Sequence, residues 1–122
     1  MTVLLLSHRA CLQHDPGPQH PECPDRLRAV LRALEAEEFA HLIRDEAPQA
    51  TVEQLTRVHP AAYVEAILGI RPEPDESVAL DPDTVMSWGS AEAALRAAFA
   101  AWASCTMTLS QLLNKRDAEL GT

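Results

Sequence analysis

A chain of 122 residues is long enough for one domain with a modest core. An apolar share of 47% and a mean hydropathy of -0.12 exclude a disordered tract. A net charge of -8 excludes a basic face for a phosphate backbone, so nucleic acid is not an expected partner.

The apolar run Val3-Leu4-Leu5-Leu6 is too short for a signal-peptide core or a membrane span, and no membrane contact is expected. It fits a strand buried on both faces, as in a parallel sheet. Cys11, Cys23 and Cys105 form an odd set without CxxC spacing. That argues against a disulfide framework and for a reducing, cytoplasmic setting.

From His14 to Leu27 the chain holds two imidazoles, three acidic side chains, a thiol and an arginine, stiffened by four prolines and Gly17. Such a stretch is neither an ordinary helix nor a central strand. It reads as a shaped polar loop, either a binding element or a solvated loop that caps the next helix. His14, Asp15, His20, Glu22 and Cys23 are all potential zinc ligands, but their spacing matches no short ligand motif.

Pro24 suits a first helical position, and Leu27, Val30, Leu31 and Leu34 follow at one-face spacing. Arg28 and Arg32 read as a solvated edge paired with Glu35, Glu37 and Glu38, whereas Arg26 lies beside the rigid loop. Leu42 and Ile43 suit a short strand. Thr51 suits the N-cap of a short helix through Val52, Leu55 and Val58. His59 reads as a cap or a hydrogen-bonded corner. The spacing of Tyr63, Ala66, Ile67 and Ile70 predicts a helix over Pro60–Leu68, followed by a surface loop at 69–77.

Asp81-Pro82-Asp83-Thr84 with Ser87-Trp88-Gly89-Ser90 forms a second polar loop. Ser90 is expected to cap a long helix whose stripe runs Ala91, Ala94, Leu95, Ala98, Trp102, Cys105, Leu109 and Leu112. Lys115 and Arg116 suit its C-terminus.

His14-Asp15-x-Gly17-x-x-His20-Pro21-Glu22-x-Pro24-Asp25-Arg26-Leu27 resembles the first loop of zinc-dependent histone deacetylases and acetylpolyamine amidohydrolases, most closely the bacterial class II-like branch. Val58-His59-Pro60-x-x-Tyr63-Val64 is similar to the next helix junction of that family. Leu80-Asp81-x-Asp83-Thr84 and Ser87-x-Gly89-Ser90-x-Glu92-Ala93-Ala94 resemble its second rim loop.

The resemblance implies an α/β, arginase/deacetylase-like three-layer fold with a central parallel sheet, of which this chain carries the N-terminal, helix-dominated part. It implies zinc-dependent hydrolysis of the amide of acetyl-lysine or an acetylated polyamine. By matching position Asp83, or its neighbour Asp81, would hold the substrate's backbone amides, with Asp83 preferred. Arg26 would sit near the acetate exit channel, and His20 and Glu22 would shape loop one.

The sequence also departs from the family. Trp88 replaces a usual proline and Phe99 a usual glycine. The paired-His motif and the Asp, His and Asp zinc ligands of the family are absent. Residues 1–98 therefore read as the N-terminal part of a deacetylase domain and 99–122 as a divergent helical tail. The expected product is a truncated or frame-disrupted deacetylase or a fragment, inactive alone and binding no zinc itself. Its first strand would lack neighbours, which implies marginal stability or self-association. Two rival readings are a small acidic helical interaction or dimerisation protein, and a stand-alone metal module on loop one.

Overall fold

The structure is a computed structural model that describes residues 2–120. The first strand, β1 (Leu4–Ser7), does have a neighbour, contrary to the expectation from sequence. It pairs in parallel with β2 (Ile43–Glu46), Leu4 opposite Ile43 and Ser7 opposite Glu46. The Ala47 amide extends the ladder by donating to the Ser7 carbonyl at 2.8 Å.

Between these strands lie a 3-10 turn at Arg9–Gln13, the Pro-rich loop one, and helix α1 (Pro24–Ala33). Pro24 starts α1 and Asp25 lies in its first turn, where the missing amide costs nothing and the negative charge meets the positive helix end. The α1 stripe is only half covered. No residue of the helix is fully buried, and Val30 is 54% exposed. Arg28 pairs with Asp25 at 2.7 Å, not with the glutamates downstream.

Thr51 caps α2 (Val52–Thr56) in a reciprocal box with Gln54, satisfying two otherwise unpaired amides. That helix stops short of Val58, which is exposed. Pro60 is the N-cap of α3 (Ala61–Gly69), and Val64, outside the expected stripe, is its buried residue.

The segment read as a second polar loop is an antiparallel hairpin. Strand β3 (Ser77–Asp81) pairs with β4 (Thr84–Ser87) through a tight turn, with an irregularity between Ala79 and Asp81. Two short strands, a proline at the turn and a β3 with no buried residue leave no clear alternating pattern in the sequence to reveal it.

Helix α4 (Ser90–Thr106) is the packing centre. Its N-cap is Gly89, so Ser90 is the first helical residue and its hydroxyl is free for other partners. Ala91, Ala93, Phe99 and Ala103 are buried, whereas Ala94 and Cys105 of the expected stripe are exposed. Phe99 and Ala103 form the core with Ala50, backed by Leu55, Leu95, Trp102, Met107 and Leu112. The helix ends at Thr106, and α5 (Leu109–Leu120) follows. The 98/99 boundary expected from sequence thus lies inside one continuous helix.

Arg96 fastens α4 to the segment after β2, donating to the Ala47 carbonyl at 2.9 Å and to Glu92 at 3.1 Å. The chain exposes 8386 Å². A compact protein of this mass exposes about 6,500 Å². The excess fits a partial α/β arginase-like fold, whose two-stranded parallel sheet lacks the covering such sheets ordinarily receive. Among the described residues no helix is long and apolar enough to cross a membrane.

Candidate functional site

Loop one, the hairpin and the start of α4 converge at one junction. It is built on serine hydroxyls. The Ser90 hydroxyl accepts from the Ser87 amide at 2.8 Å and lies 2.7 Å from His14 Nδ1. The Ser87 hydroxyl accepts from the Asp15 amide at 3.0 Å and donates to the Gln13 carbonyl at 3.1 Å. The two hydroxyl oxygens are 3.1 Å apart. Both serines are buried, so each bond also removes a desolvation cost. Gly89 completes the junction: a Cβ there would lie 2.4 Å from Gln13 Cβ and 2.7 Å from the Gln13 carbonyl oxygen.

The residues singled out from sequence fall into one hydrogen-bonded run. Arg26 Nη1 donates to Glu22 at 2.7 Å. The Glu22 amide donates to His20 Nδ1 at 3.0 Å. His20 Nε2 donates to the Asp83 carbonyl at 2.9 Å. The Asp83 amide donates to Asp81 Oδ1 at 2.8 Å. Loop one is thereby tied to the hairpin turn.

Within that run the five side chains sit differently. The Arg26–Glu22 pair is on the surface, the side chains 64% and 51% exposed. Asp81 spends its carboxylate on the turn, where the Asp83 amide, then Thr84, hold it below the ordinary aspartate range. Asp83 has both backbone groups engaged, and its carboxylate makes no hydrogen bond or ion pair among the described residues.

Two clefts flank the run. A mostly apolar one of about 510 Å³ is lined by Cys11, His14, Leu27, Tyr63, Thr84 and Met86 among others. Burial pushes the Cys11 thiol up, against a smaller opposing pull from Arg96. A second, of about 550 Å³, lies between loop one and Trp88 and is lined by Asp15, His20, Asp25 and Arg28.

The potential ligands of loop one do not assemble. Among the described residues no three His, Cys, Asp or Glu side chains are grouped to hold a metal ion. His14 is engaged by Ser90, and both nitrogens of His20 are taken. A zinc ion does not fit these residues. The three cysteines are free thiols.

Gln13 was not singled out from sequence, and His14, Ser87 and Gly89, read there as a potential ligand and as parts of the two loops, turn out to be the structural residues of the junction. Their signal was the Ser87-x-Gly89-Ser90 spacing directly before a helix, which reads equally well as a cap.

Comparison with known proteins bears on the family and the fold. The chain is 32% identical over 120 residues to the uncharacterized protein slr0245 of Synechocystis sp., covering 95% of this chain and 38% of that protein. It superposes on the crystal structure of the HDA15 HD domain with a TM-score of 0.70 at 26% identity, covering 80% of this chain and 29% of that one. The chain therefore spans well under half of each. The sequence model of the histone deacetylase domain matches residues 20–119, which take in the His20–Asp83 run and Ser87–Ser90. With most of its length inside that match, the chain belongs to the histone deacetylase family.

Proposed function

We propose that this chain forms the mouth of an amide-hydrolysing pocket whose family reaction is zinc-dependent removal of acetyl groups from lysine or polyamine amines. Asp83 is the substrate-holding group: its carboxylate accepts backbone amides of an acetyl-lysine peptide or the nitrogens of a polyamine. The observation that carries this reading is the unshared Asp83 carboxylate on a turn whose own amide and carbonyl are both fixed. An anchored backbone with a free acceptor can bind a donor without first ordering itself.

Asp81 supports the turn, and Glu22 and His20 hold loop one against it. Arg26 forms the outer end of the run. The acetate-exit role implied for it requires its guanidinium to leave Glu22. Among the described residues no grouping takes zinc, and this reading gives the chain a part in binding substrate rather than in hydrolysis.

Two measurements test this. Purified chain is incubated with an acetyl-lysine peptide or an N-acetylpolyamine plus zinc. No acetate release is expected, and zinc-dependent release would refute the inactive reading. Titration of the same peptide is followed by amide NMR shifts at Asp81, Asp83 and Thr84. Saturable shifts that weaken about five-fold or more in Asp83→Asn are expected, from the loss of one charge-assisted bond. Equal binding by the variant would refute the role of Asp83.

A further inference from the structure

We infer that His20, held as the neutral tautomer protonated at Nε2, is the positioning residue that fixes the Asp83 turn against loop one. The inference rests on the substrate-holding role proposed for Asp83 and adds the group that sets where that carboxylate stands.

The tautomer follows from the partners. A backbone N–H can only donate, so the 3.0 Å contact from the Glu22 amide makes His20 Nδ1 an acceptor. A carbonyl can only accept, so the 2.9 Å contact to Asp83 places the proton on Nε2. A ring protonated at Nδ1 instead would set two donors against each other at Glu22 and two acceptors at Asp83. The charged groups of this run are Arg26, Glu22, Asp81 and Asp83, and Asp15, Asp25 and Arg28 line the cleft beside His20; the ring's two nitrogens bond backbone rather than any carboxylate.

The chain separation makes the contact informative. His20 and Asp83 are 63 residues apart, and among the described residues no other hydrogen bond joins loop one to residues 81–84. The turn has its own internal brace in Asp81, which shapes it without fixing it to anything else. The Ser87–Ser90 junction anchors the far end of β4 only. The tip that carries Asp83 would therefore pivot about that anchor if His20 were removed. His20 touches no reacting atom in this arrangement; it acts on substrate through Asp83.

The test uses the full chain. Imidazole 15N NMR reads which ring nitrogen is protonated. His20→Phe removes both bonds, and His20→Gln retains an amide donor and a carbonyl acceptor of similar reach. Amide exchange at Asp83 and Thr84 is expected to rise about five-fold in His20→Phe, the scale of one lost hydrogen bond. Exchange at Ala50 and Ala103 in the core should stay unchanged, and His20→Gln should restore most of the protection. Acetyl-lysine peptide affinity should fall in His20→Phe and recover in His20→Gln.

A proton on Nδ1, or turn exchange unaltered in His20→Phe, overturns the inference, and the tautomer is readable even if that variant folds poorly. If Asp83→Asn leaves peptide binding unchanged while the tautomer and turn exchange behave as stated, the substrate role of Asp83 fails and the tether stands.

Discussion

Gly89→Ala is the sharpest perturbation of the junction. The backbone at residue 89 has φ of -92° and ψ of -3°, which any L-residue adopts, so the substitution adds a methyl group and no backbone strain. That methyl carbon would lie 2.4 Å from Gln13 Cβ, 2.7 Å from Gln13 O and 2.9 Å from Gln13 C. An ordinary carbon–carbon contact is about 3.5–4.0 Å, so the two segments must part by roughly 1 Å. Two of the three atoms are backbone, and rotating the Gln13 side chain cannot relieve them.

Parting also stretches the bond from the Ser87 hydroxyl to Gln13 at 3.1 Å and the His14–Ser90 contact at 2.7 Å. Overpacking costs about 1–3 kcal/mol, and a weakened buried hydrogen bond about 1 kcal/mol more. A loss of roughly 3 kcal/mol is expected, or about 10 °C in Tm for a domain of this size. Urea unfolding followed by circular dichroism measures it. A loss under about 0.5 kcal/mol, the scale of an ordinary surface substitution, would refute the tight approach of loop one to α4.

Gly17→Ala provides the contrast: φ is +106° with open space around the position, so a purely conformational loss of about 1 kcal/mol is expected in the same assay. Phe99→Ala empties the core position that is 1% exposed and removes the ring that lies tilted against Trp102 and beneath the Lys115 ammonium, costing about 3–5 kcal/mol by thermal melting. Asp81 and Glu92 both have folded pKa values held low, by the Asp83 amide and by Arg96 respectively. Their contribution is therefore present above the unfolded carboxylate pKa and is lost as pH falls through the lower folded value, so stability should decline below about pH 4 in an acid titration of the far-UV signal. Exposed Cys105 should alkylate before Cys11, whose thiol is pushed up by burial; mass spectrometry of partly labelled chain reads the order.

Local signals survived the passage from sequence to structure. Thr51 with Gln54, and Pro24 with Asp25, are start signals whose physics is complete within four residues, and both helices begin there. Pairings across long separations were not readable. Leu4 finds Ile43 through a parallel ladder that no turn residue announces. The hairpin was hidden because the exposed β3 carries no clear apolar alternation and Asp-Pro-Asp suits a loop as well as a turn.

The α4 stripe went out of phase for a different reason. Alanine occupies positions all round the helix, so the sequence offers little contrast, and Phe99 rather than Leu109 marks the buried face. The same ambiguity applied to Ser90. A serine before a helix is usually a cap, and only the arrival of His14 and Ser87 from elsewhere turns its hydroxyl into a tertiary bond. At the candidate site the residue types in loop one and the second rim segment were legible through the family resemblance. Their linkage was not, because three of its four bonds use backbone groups that carry no residue identity.

The fold's cohesion is therefore unevenly placed. Helix α1 buries none of its residues completely, and the parallel sheet has two strands where an arginase-like fold has many. The junction of loop one with the hairpin and α4 is instead closed by buried hydroxyls and a glycine with no room for a methyl group. Truncating Val30, which is 54% exposed, removes little apolar contact and should cost well under 1 kcal/mol. Adding one carbon at residue 89 should cost several times as much. A junction that is anchored by polar groups and close backbone approach keeps its geometry without help from a completed sheet, so the role proposed for Asp83 asks for no more of the fold than a chain covering 29% of the HDA15 HD domain supplies.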